Sequence, residues 1–174
     1  ALQKAKEDTD KVKTMCILGF EFGAKKDFTT ASYYSKAALQ LSEKINYLYG
    51  ESRANQAIGL IYFMKEMPDS AINHFLVSLK IAERTNSIED ISRTSFWIAS
   101  IYNSRIGNYA EALPYYYNAL KWYETSGDSL QIANCLFQIG ADNYWLENYD
   151  ESFKNWHACL EISKKIKFQR GIIA

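Results

Sequence analysis

The sequence is poor in the residues that disulfide frameworks, metal centres and histidine-based catalysis require. Its 174 residues include three cysteines, two histidines and two prolines. The cysteines (16, 135 and 159) form no Cys-x-x-Cys pair, and each lies in an apolar helical pattern, which favours buried free thiols. His74 and His157 are far apart, and no known catalytic or phosphate-binding motif is present. We therefore predict no catalytic residue, no metal site and no cofactor.

Charge of one sign and long apolar runs are also missing. Twenty basic and twenty acidic residues balance, so no global field attracts nucleic acid or an anionic membrane. No apolar run approaches the roughly 20 residues that a membrane span needs, and no signal peptide is visible. We predict no nucleic-acid partner and no membrane insertion. Free thiols favour a reducing, cytoplasmic compartment, and a sensor region outside the cytoplasm stays open as an alternative.

What the sequence does have is a block of roughly forty residues that recurs four times. Small or apolar residues stand at corresponding places in each block, separated by 40 or 41 positions. The three clearest sets are Gly19, Gly59, Ala99 and Gly140; Ala31, Ala71, Ala112 and Ser152; and Leu39, Leu79, Leu120 and Leu160. Such regularity predicts a stack of similar helical units, each of which buries its apolar face against its neighbours.

The second block shows a recognisable signature. It reads Asn55-x-x-Ile58-Gly59-x-x-Tyr62 and then Ala71-x-x-x-Phe75, which resembles the tetratricopeptide repeat pattern of two helices joined by a turn. The resemblance covers essentially the whole chain. It implies an all-α fold, an α-solenoid of about four helix-turn-helix repeats that form a right-handed superhelix.

Three places depart from the repeat pattern. Ser35 and Asn143 stand where aromatic rings are usual, and we expect Asn143 either to find hydrogen-bond partners or to yield its place to Tyr144. The third repeat has one extra residue in Ser104–Gly107, which predicts a longer or bulged turn. Side chains at the start of three of the four second helices predict N-caps, namely Asp27, Asn108 and Asn148.

The repeat period also defines the domain organisation. We predict one solenoid over residues 1–174, with repeats at 8–46, 47–86, 87–127 and 128–167 and the start of a further helix at 168–174. Residues 1–6 resemble the end of an earlier second helix. The expected array is therefore truncated at both ends, since a solenoid normally closes with polar capping repeats.

In tetratricopeptide proteins, the first helices of successive repeats line a concave groove that holds peptides or extended segments. Aligning the blocks on the small residue of each first helix transfers that groove to particular positions here. These positions are Lys13, Arg53, Gln56, Phe63, Arg93, Phe96, Trp97, Asn103, Asn134, Phe137, Gln138, Tyr144 and Trp145. The resulting set of cations beside rings suits an acidic or amphipathic partner.

The resemblance implies an interaction module, not an enzyme. Repeats of about forty residues resemble the arrays of bacterial signalling proteins. The chain is then the sensory or scaffolding part of a larger regulator that binds a protein or peptide. The alternative is a structural spacer or a self-association element, a homo-oligomer without an external ligand.

Overall fold

The chain is helical throughout the part that the structure describes. The computed structural model describes residues 2–166, and this stretch contains eight α-helices and one π-helical turn but no strand. The predicted all-α class is confirmed. The elements are α1 (Leu2–Ala24), α2 (Phe28–Lys44), α3 (Leu48–Met64), α4 (Pro68–Arg84), α5 (Ile88–Ile101), the π-helix (Tyr102–Ile106), α6 (Tyr109–Ser126), α7 (Ser129–Trp145) and α8 (Tyr149–Lys165).

These helices belong to two compact units, Ala1–Asp90 and Ile91–Ala174, called here the N-terminal and C-terminal units. In the N-terminal unit, α1 packs against α2 and α3, α2 against α3, and α3 against α4. In the C-terminal unit, α6 packs against the π-helix and α7, and α7 packs against α8. Helices that follow one another along the chain therefore form hairpins, as the repeat pattern predicts. The single solenoid over residues 1–174 stays a prediction.

The small residue of each first helix lets the second helix of its hairpin approach closely. An added Cβ on Gly59 would lie 3.0 Å from the ring of Phe75, which is fully buried. At the corresponding place in α7, a Cβ on Gly140 would collide with the Trp156 ring. The missing side chain of the glycine leaves the space that the large ring of the second helix fills. The volumes of the two residues are therefore matched, which explains why both recur.

The two unusual residues in the ring-bearing positions are both buried. Ser35 lies against Gly19, and its Oγ has no hydrogen-bond partner among the described residues. Asn143 keeps its buried place and finds partners: its Nδ2 donates to the carbonyl of Ile139 at 2.9 Å, and its Oδ1 accepts from Nδ2 of Asn148 at 3.4 Å. The first of the two outcomes expected for Asn143 is confirmed.

Every turn between helices uses a residue with a positive φ, and these residues are evenly spaced. Before the π-helix they are Lys26, Asn46, Glu66 and Asn86, and after it Gly107, Gly127 and Glu147. Six of these seven turns also carry the hydrogen bond of a Schellman motif, such as the one from the amide of Asp27 to the carbonyl of Phe22 at 2.9 Å. These six turns therefore share one geometry.

The π-helix accommodates the extra residue of the third repeat. After α5, the amide of Asn108 bonds to the carbonyl of Tyr102 at 2.9 Å, which spans one residue more than the corresponding bond in the other turns. Tyr102–Ile106 take the wider π-helical winding, and Gly107 ends it with φ 71°. The predicted bulge in this turn is confirmed, and it consists of a widened last helical turn.

All three predicted residues lie at the N-caps of their helices, and two of them make the capping hydrogen bond. The side chains of Asp27 and Asn108 accept hydrogen bonds from backbone amides three residues on, at 3.1 and 3.2 Å. Asn148 is the N-cap of α8 without such a bond, and its Nδ2 donates to Oδ1 of Asn143. Pro68 opens α4, where the lack of an amide hydrogen costs nothing.

One end of the repeat scheme needs correction. Residues 2–6 do not end a separate helix, because α1 runs without a break from Leu2 to Ala24. No glycine or proline lies between residues 2 and 18 to interrupt it. The further helix predicted at 168–174 lies outside the described residues.

Candidate functional site

A cleft lies between α1 and α3 on the face that the first helices of the N-terminal unit present. Its volume is about 190 Å³, and it is lined by Lys13, Cys16, Ile17, Tyr49, Gly50 and Arg53. Two cations that the repeat alignment selected, Lys13 and Arg53, therefore border the same cleft. Ile17 and Tyr49 are exposed beside them and supply apolar walls.

Arg53 is held in place by contacts from three sides. Its guanidinium lies over the ring of Phe20, 5.1 Å from the ring centre. Its Nη1 donates to Oε1 of Gln56 at 3.1 Å and lies 3.8 Å from Oδ1 of Asp90. These contacts leave the side chain 21% exposed. A guanidinium fixed in this way keeps further N–H groups for a carboxylate in the cleft.

Gln56 forms its hydrogen bonds within the N-terminal unit. The side chain is buried, and its Nε2 donates to Oδ1 of Asp90 at 3.1 Å and to Oγ of Ser78 at 3.2 Å. Asp90 accepts a further bond from Oγ of Ser87 at 3.0 Å. The buried carboxylate is therefore satisfied by neutral donors and by Arg53. Gln56 positions the arginine and is not available to a partner.

Asp90 is a residue that the sequence reading missed. It lies in the first turn of α5 and is almost completely buried. Ser87 and Asp90 are spaced as a capping pair at a helix start, and this spacing is the feature of the sequence that could have drawn attention to Asp90. That signal points to a helix end and not to Arg53, which lies two helices away in the chain.

The other predicted residues of the N-terminal unit differ in exposure. Lys13 is exposed and pairs with Asp10 on its own helix at 3.4 Å, a surface contact that contributes little stability. Phe63 is half-buried near the end of α3. Lys13 is thus the mobile cation of the cleft and Arg53 the fixed one.

In the C-terminal unit, Asn103 binds a buried carboxylate. Nδ2 of Asn103, in the π-helix, donates to Oδ1 of Asp142 in α7. Asp142 is fully buried, and its Oδ2 has no hydrogen-bond partner in the described part of the chain. Burial raises the pKa of this carboxyl to about 6, against the smaller lowering effect of the Asn103 bond. Asn103 therefore has an internal role that the alignment did not indicate.

The remaining half-buried residues of the predicted set belong to α5 and α7. The ring of Phe96 meets Tyr116 edge-on, with centroids 5.5 Å apart. Asn134 donates to Oε1 of Gln131 at 3.2 Å. Three further side chains are half-buried, namely Arg93, Trp97 and Gln138.

Three predicted rings of α7 are exposed. These are Phe137, Tyr144 and Trp145, and Trp145 has the largest exposed fraction, 63%. Trp145 stacks on Tyr109 of α6 with centroids 6.0 Å apart, and Tyr144 contacts Trp156 of α8 at 5.9 Å. The structure thus places Tyr144 and Trp145 at the end of α7, among aromatic residues of the second helices, and Phe137 in the middle of α7.

The thiols and one histidine are engaged in packing. Burial raises the pKa of Cys16 to about 11 and that of Cys135 to about 12, so both keep their protons at neutral pH. His74 stacks on Tyr62, and its Nδ1 lies 2.9 Å from Oδ1 of Asn55; burial lowers its pKa. Within residues 2–166, no group of three acidic, histidine or cysteine side chains could hold a metal ion.

None of the helices in the described part of the chain combines the length and the apolar character needed to cross a bilayer.

Known proteins with similar sequence or structure are repeat proteins. A curated relative, tetratricopeptide repeat protein 29 of Trypanosoma brucei brucei (strain 927/4 GUTat10.1), is 25% identical over 114 residues, which are 66% of this chain and 24% of that protein. Aspartyl phosphate phosphatase F from Bacillus subtilis matches 91% of this chain and 42% of its own, with TM-score 0.84 and 19% identity. A Rap protein complexed with competence and sporulation factor matches 93% and 45%, with TM-score 0.72 and 17% identity.

These matches confirm the tetratricopeptide-type fold. The chain spans about a quarter of the length of the curated relative and less than half of either solved protein. The sequence also matches a family model. This model, described as soluble NSF attachment protein, SNAP, matches residues 19–170, most of the chain. The chain therefore belongs to the SNAP family.

Proposed function

We propose that this chain is a protein- or peptide-binding module of a larger regulatory protein, and that it holds an acidic segment of its partner against α1 and α3. The observation that carries the proposal is the cleft that Lys13 and Arg53 share. An acidic side chain entering it meets a mobile ammonium and a positioned guanidinium. Ile17 and Tyr49 contact apolar groups next to that side chain.

The geometry of Arg53 favours a carboxylate ligand. Gln56 and Asp90 both contact Nη1 of the guanidinium. The described hydrogen bond and ion pair of Arg53 therefore use this one nitrogen atom. An arginine fixed before binding loses little side-chain entropy when it pairs with a carboxylate. The buried network therefore prepares the cation for binding.

The similar proteins support a binding role, but they do not indicate which process the module regulates. One of them is a Rap protein solved with competence and sporulation factor, and this chain matches less than half of that protein. A sensory or scaffolding role in a larger regulator is the corresponding proposal here. Catalysis is not part of it, because the titratable groups described above are isolated or engaged in packing.

The test uses an amphipathic peptide rich in glutamate and leucine as the probe, with affinity measured by fluorescence anisotropy. Lys13→Glu should weaken binding by roughly tenfold or more, because attraction becomes repulsion beside the cleft. Lys36→Glu, an exposed change on α2, is the matched control and should have no effect. Arg53→Lys, which keeps the charge, should weaken binding less than Lys13→Glu does.

Equal affinity of wild type and Lys13→Glu would contradict the proposal. The alternative, self-association, predicts a molecular mass that rises with protein concentration in sedimentation experiments. A monomer that binds the peptide favours the binding module over the spacer.

A further inference from the structure

A second exposed surface lies in the C-terminal unit, around the turn between α7 and α8. Six aromatic rings contact one another there in an unbroken series, with centroid separations between 5.6 and 6.3 Å. Tyr144 is central, since it touches three of the others. The aromatic patch consists of Tyr109, Tyr144, Trp145, Tyr149, Phe153 and Trp156.

Much of the patch faces solvent. Trp145 and Phe153 are 63% and 67% exposed, and Tyr149 is half exposed. Trp156, in contrast, is fixed: it packs over Gly140, and its Nε1 donates to the carbonyl of Phe137 at 3.2 Å. Contiguous exposed rings on a rigid base are typical of interaction surfaces and are not needed to stabilise a helix hairpin.

Carboxylates border the patch on one side. An open cleft of about 560 Å³ adjoins the ring of Tyr149 and contains three acidic residues, Glu147, Asp150 and Glu151. In the described part of the chain, the cleft's only ion pair joins Glu151 to Lys154 at 3.2 Å. Glu147 and Asp150 therefore leave a local negative charge next to the rings.

Rings beside unpaired carboxylates select a cation that can also stack. An arginine guanidinium is planar, lies flat on aromatic faces and bonds to carboxylates through two parallel N–H groups. A lysine ammonium gains the charge attraction but lacks the flat face and the paired bonds. Charge complementarity thus excludes an acidic partner here and favours arginine.

We propose that the aromatic patch and the α7–α8 carboxylates form a docking surface for an arginine-bearing basic segment of a partner protein. In this complex, guanidinium groups stack on Tyr149 or Trp145 and pair with Glu147 and Asp150. The proposal goes beyond the function proposed above, since it concerns the other unit, residues of α8, and a ligand of opposite charge.

The experiment uses short glycine–serine peptides that carry arginine, lysine or glutamate at the same positions. Binding is measured by fluorescence anisotropy, and the tryptophan indole N–H signals are followed by NMR. The arginine peptide should bind most tightly and shift the signals of Trp145 and Trp156 but not those of Trp97 and Trp122. The glutamate peptide should not bind, and added salt should weaken the arginine complex.

Two variants with matched controls test the surface directly. Glu147→Gln/Asp150→Asn should weaken arginine-peptide binding at least about tenfold, because both carboxylates lose their charge. Trp145→Ala should weaken it several-fold through the lost stacking. The controls are Glu43→Gln/Glu83→Gln and Tyr33→Ala, exposed changes in the N-terminal unit that should leave binding unchanged. Circular dichroism verifies that each variant is folded.

Unchanged binding in the folded double variant overturns the proposal, and so does equal affinity for the arginine and lysine peptides. Lys13→Glu should leave the arginine peptide's affinity unaltered. This separates the two proposals, because the cleft between α1 and α3 can fail its own test without affecting this one.

Discussion

Replacing Asp142 by asparagine should stabilise the protein at neutral pH. The carboxyl is fully buried, and its Oδ2 has no partner among the described residues. The same repeat position holds Ile61 and Ile101 in the second and third repeats, and both are buried. Asp142 thus places an ionisable group at an apolar core position, where ionisation is unfavourable.

The size of the effect follows from the pKa of the carboxyl. Burial raises this pKa from 3.8 to about 6, a change of about two units. Each unit corresponds to about 1.4 kcal/mol, so the ionised folded state is penalised by roughly 3 kcal/mol. Since the folded pKa is the higher one, the native state binds more protons between about pH 4 and pH 6. The free energy of unfolding therefore falls as the pH rises through this window.

The assay is urea unfolding followed by circular dichroism at about pH 4.5 and about pH 7.5. The difference in unfolding free energy between Asp142→Asn and wild type should be about 2 kcal/mol larger at the higher pH. Other titrating groups cancel in this difference. The asparagine keeps an oxygen that accepts from Asn103, and Asp128→Asn, an exposed N-cap of the same helix, serves as the control. A difference that does not depend on pH would refute the reasoning.

Five further substitutions test packing and turns, four of them in two matched pairs. Gly59→Ala should lower the unfolding free energy by up to about 2 kcal/mol, because crowding of the buried Phe75 ring, 3.0 Å from the new Cβ, outweighs the roughly 1 kcal/mol that alanine gains in a helix. Gly23→Ala, whose Cβ would have ordinary contact with its neighbour at 3.8 Å, should raise it by about 0.5–1 kcal/mol in a thermal or urea melt. Ser35→Ala should be neutral or stabilising by about 1 kcal/mol, since the buried Oγ has no partner among the described residues. Ser42→Ala should cost about 1 kcal/mol, because Ser42 donates to a carbonyl at 2.7 Å. Lys26→Gly should stabilise by roughly 0.5 kcal/mol, because Lys26 has a φ of 62°; a decrease would contradict this account of the turn.

The helical fold could be predicted because its determinants repeat. Gly59 and Gly140 face Phe75 and Trp156 at matching positions, and a periodic signal of this kind is visible without coordinates. The bulge in the third repeat was equally predictable, because one added residue breaks the period. Spacing indicated Asn148 as the N-cap of α8, but it did not indicate that this side chain bonds to Asn143 and makes no capping bond.

The candidate sites were only partly predictable. Aligning the repeats placed Lys13 and Arg53 at equivalent positions of adjacent repeats, and the structure shows that both border one cleft. It could not identify Asp90 or Asp142, since each acts in a single repeat and bonds to residues on another helix. Polar partners that do not recur leave no periodic signal.

The π-helix at Tyr102–Ile106 determines how this chain tolerates changes in length. An insertion inside an α-helix rotates all later residues by about 100° about the axis and so moves apolar side chains out of the core. Here the wider winding confines that rotation to the last turn before Gly107, and the following left-handed residues again come twenty apart, at 107, 127 and 147. The ends of the first helices are therefore the places where repeats of this kind can gain or lose a residue and still preserve the packing of every helix that follows.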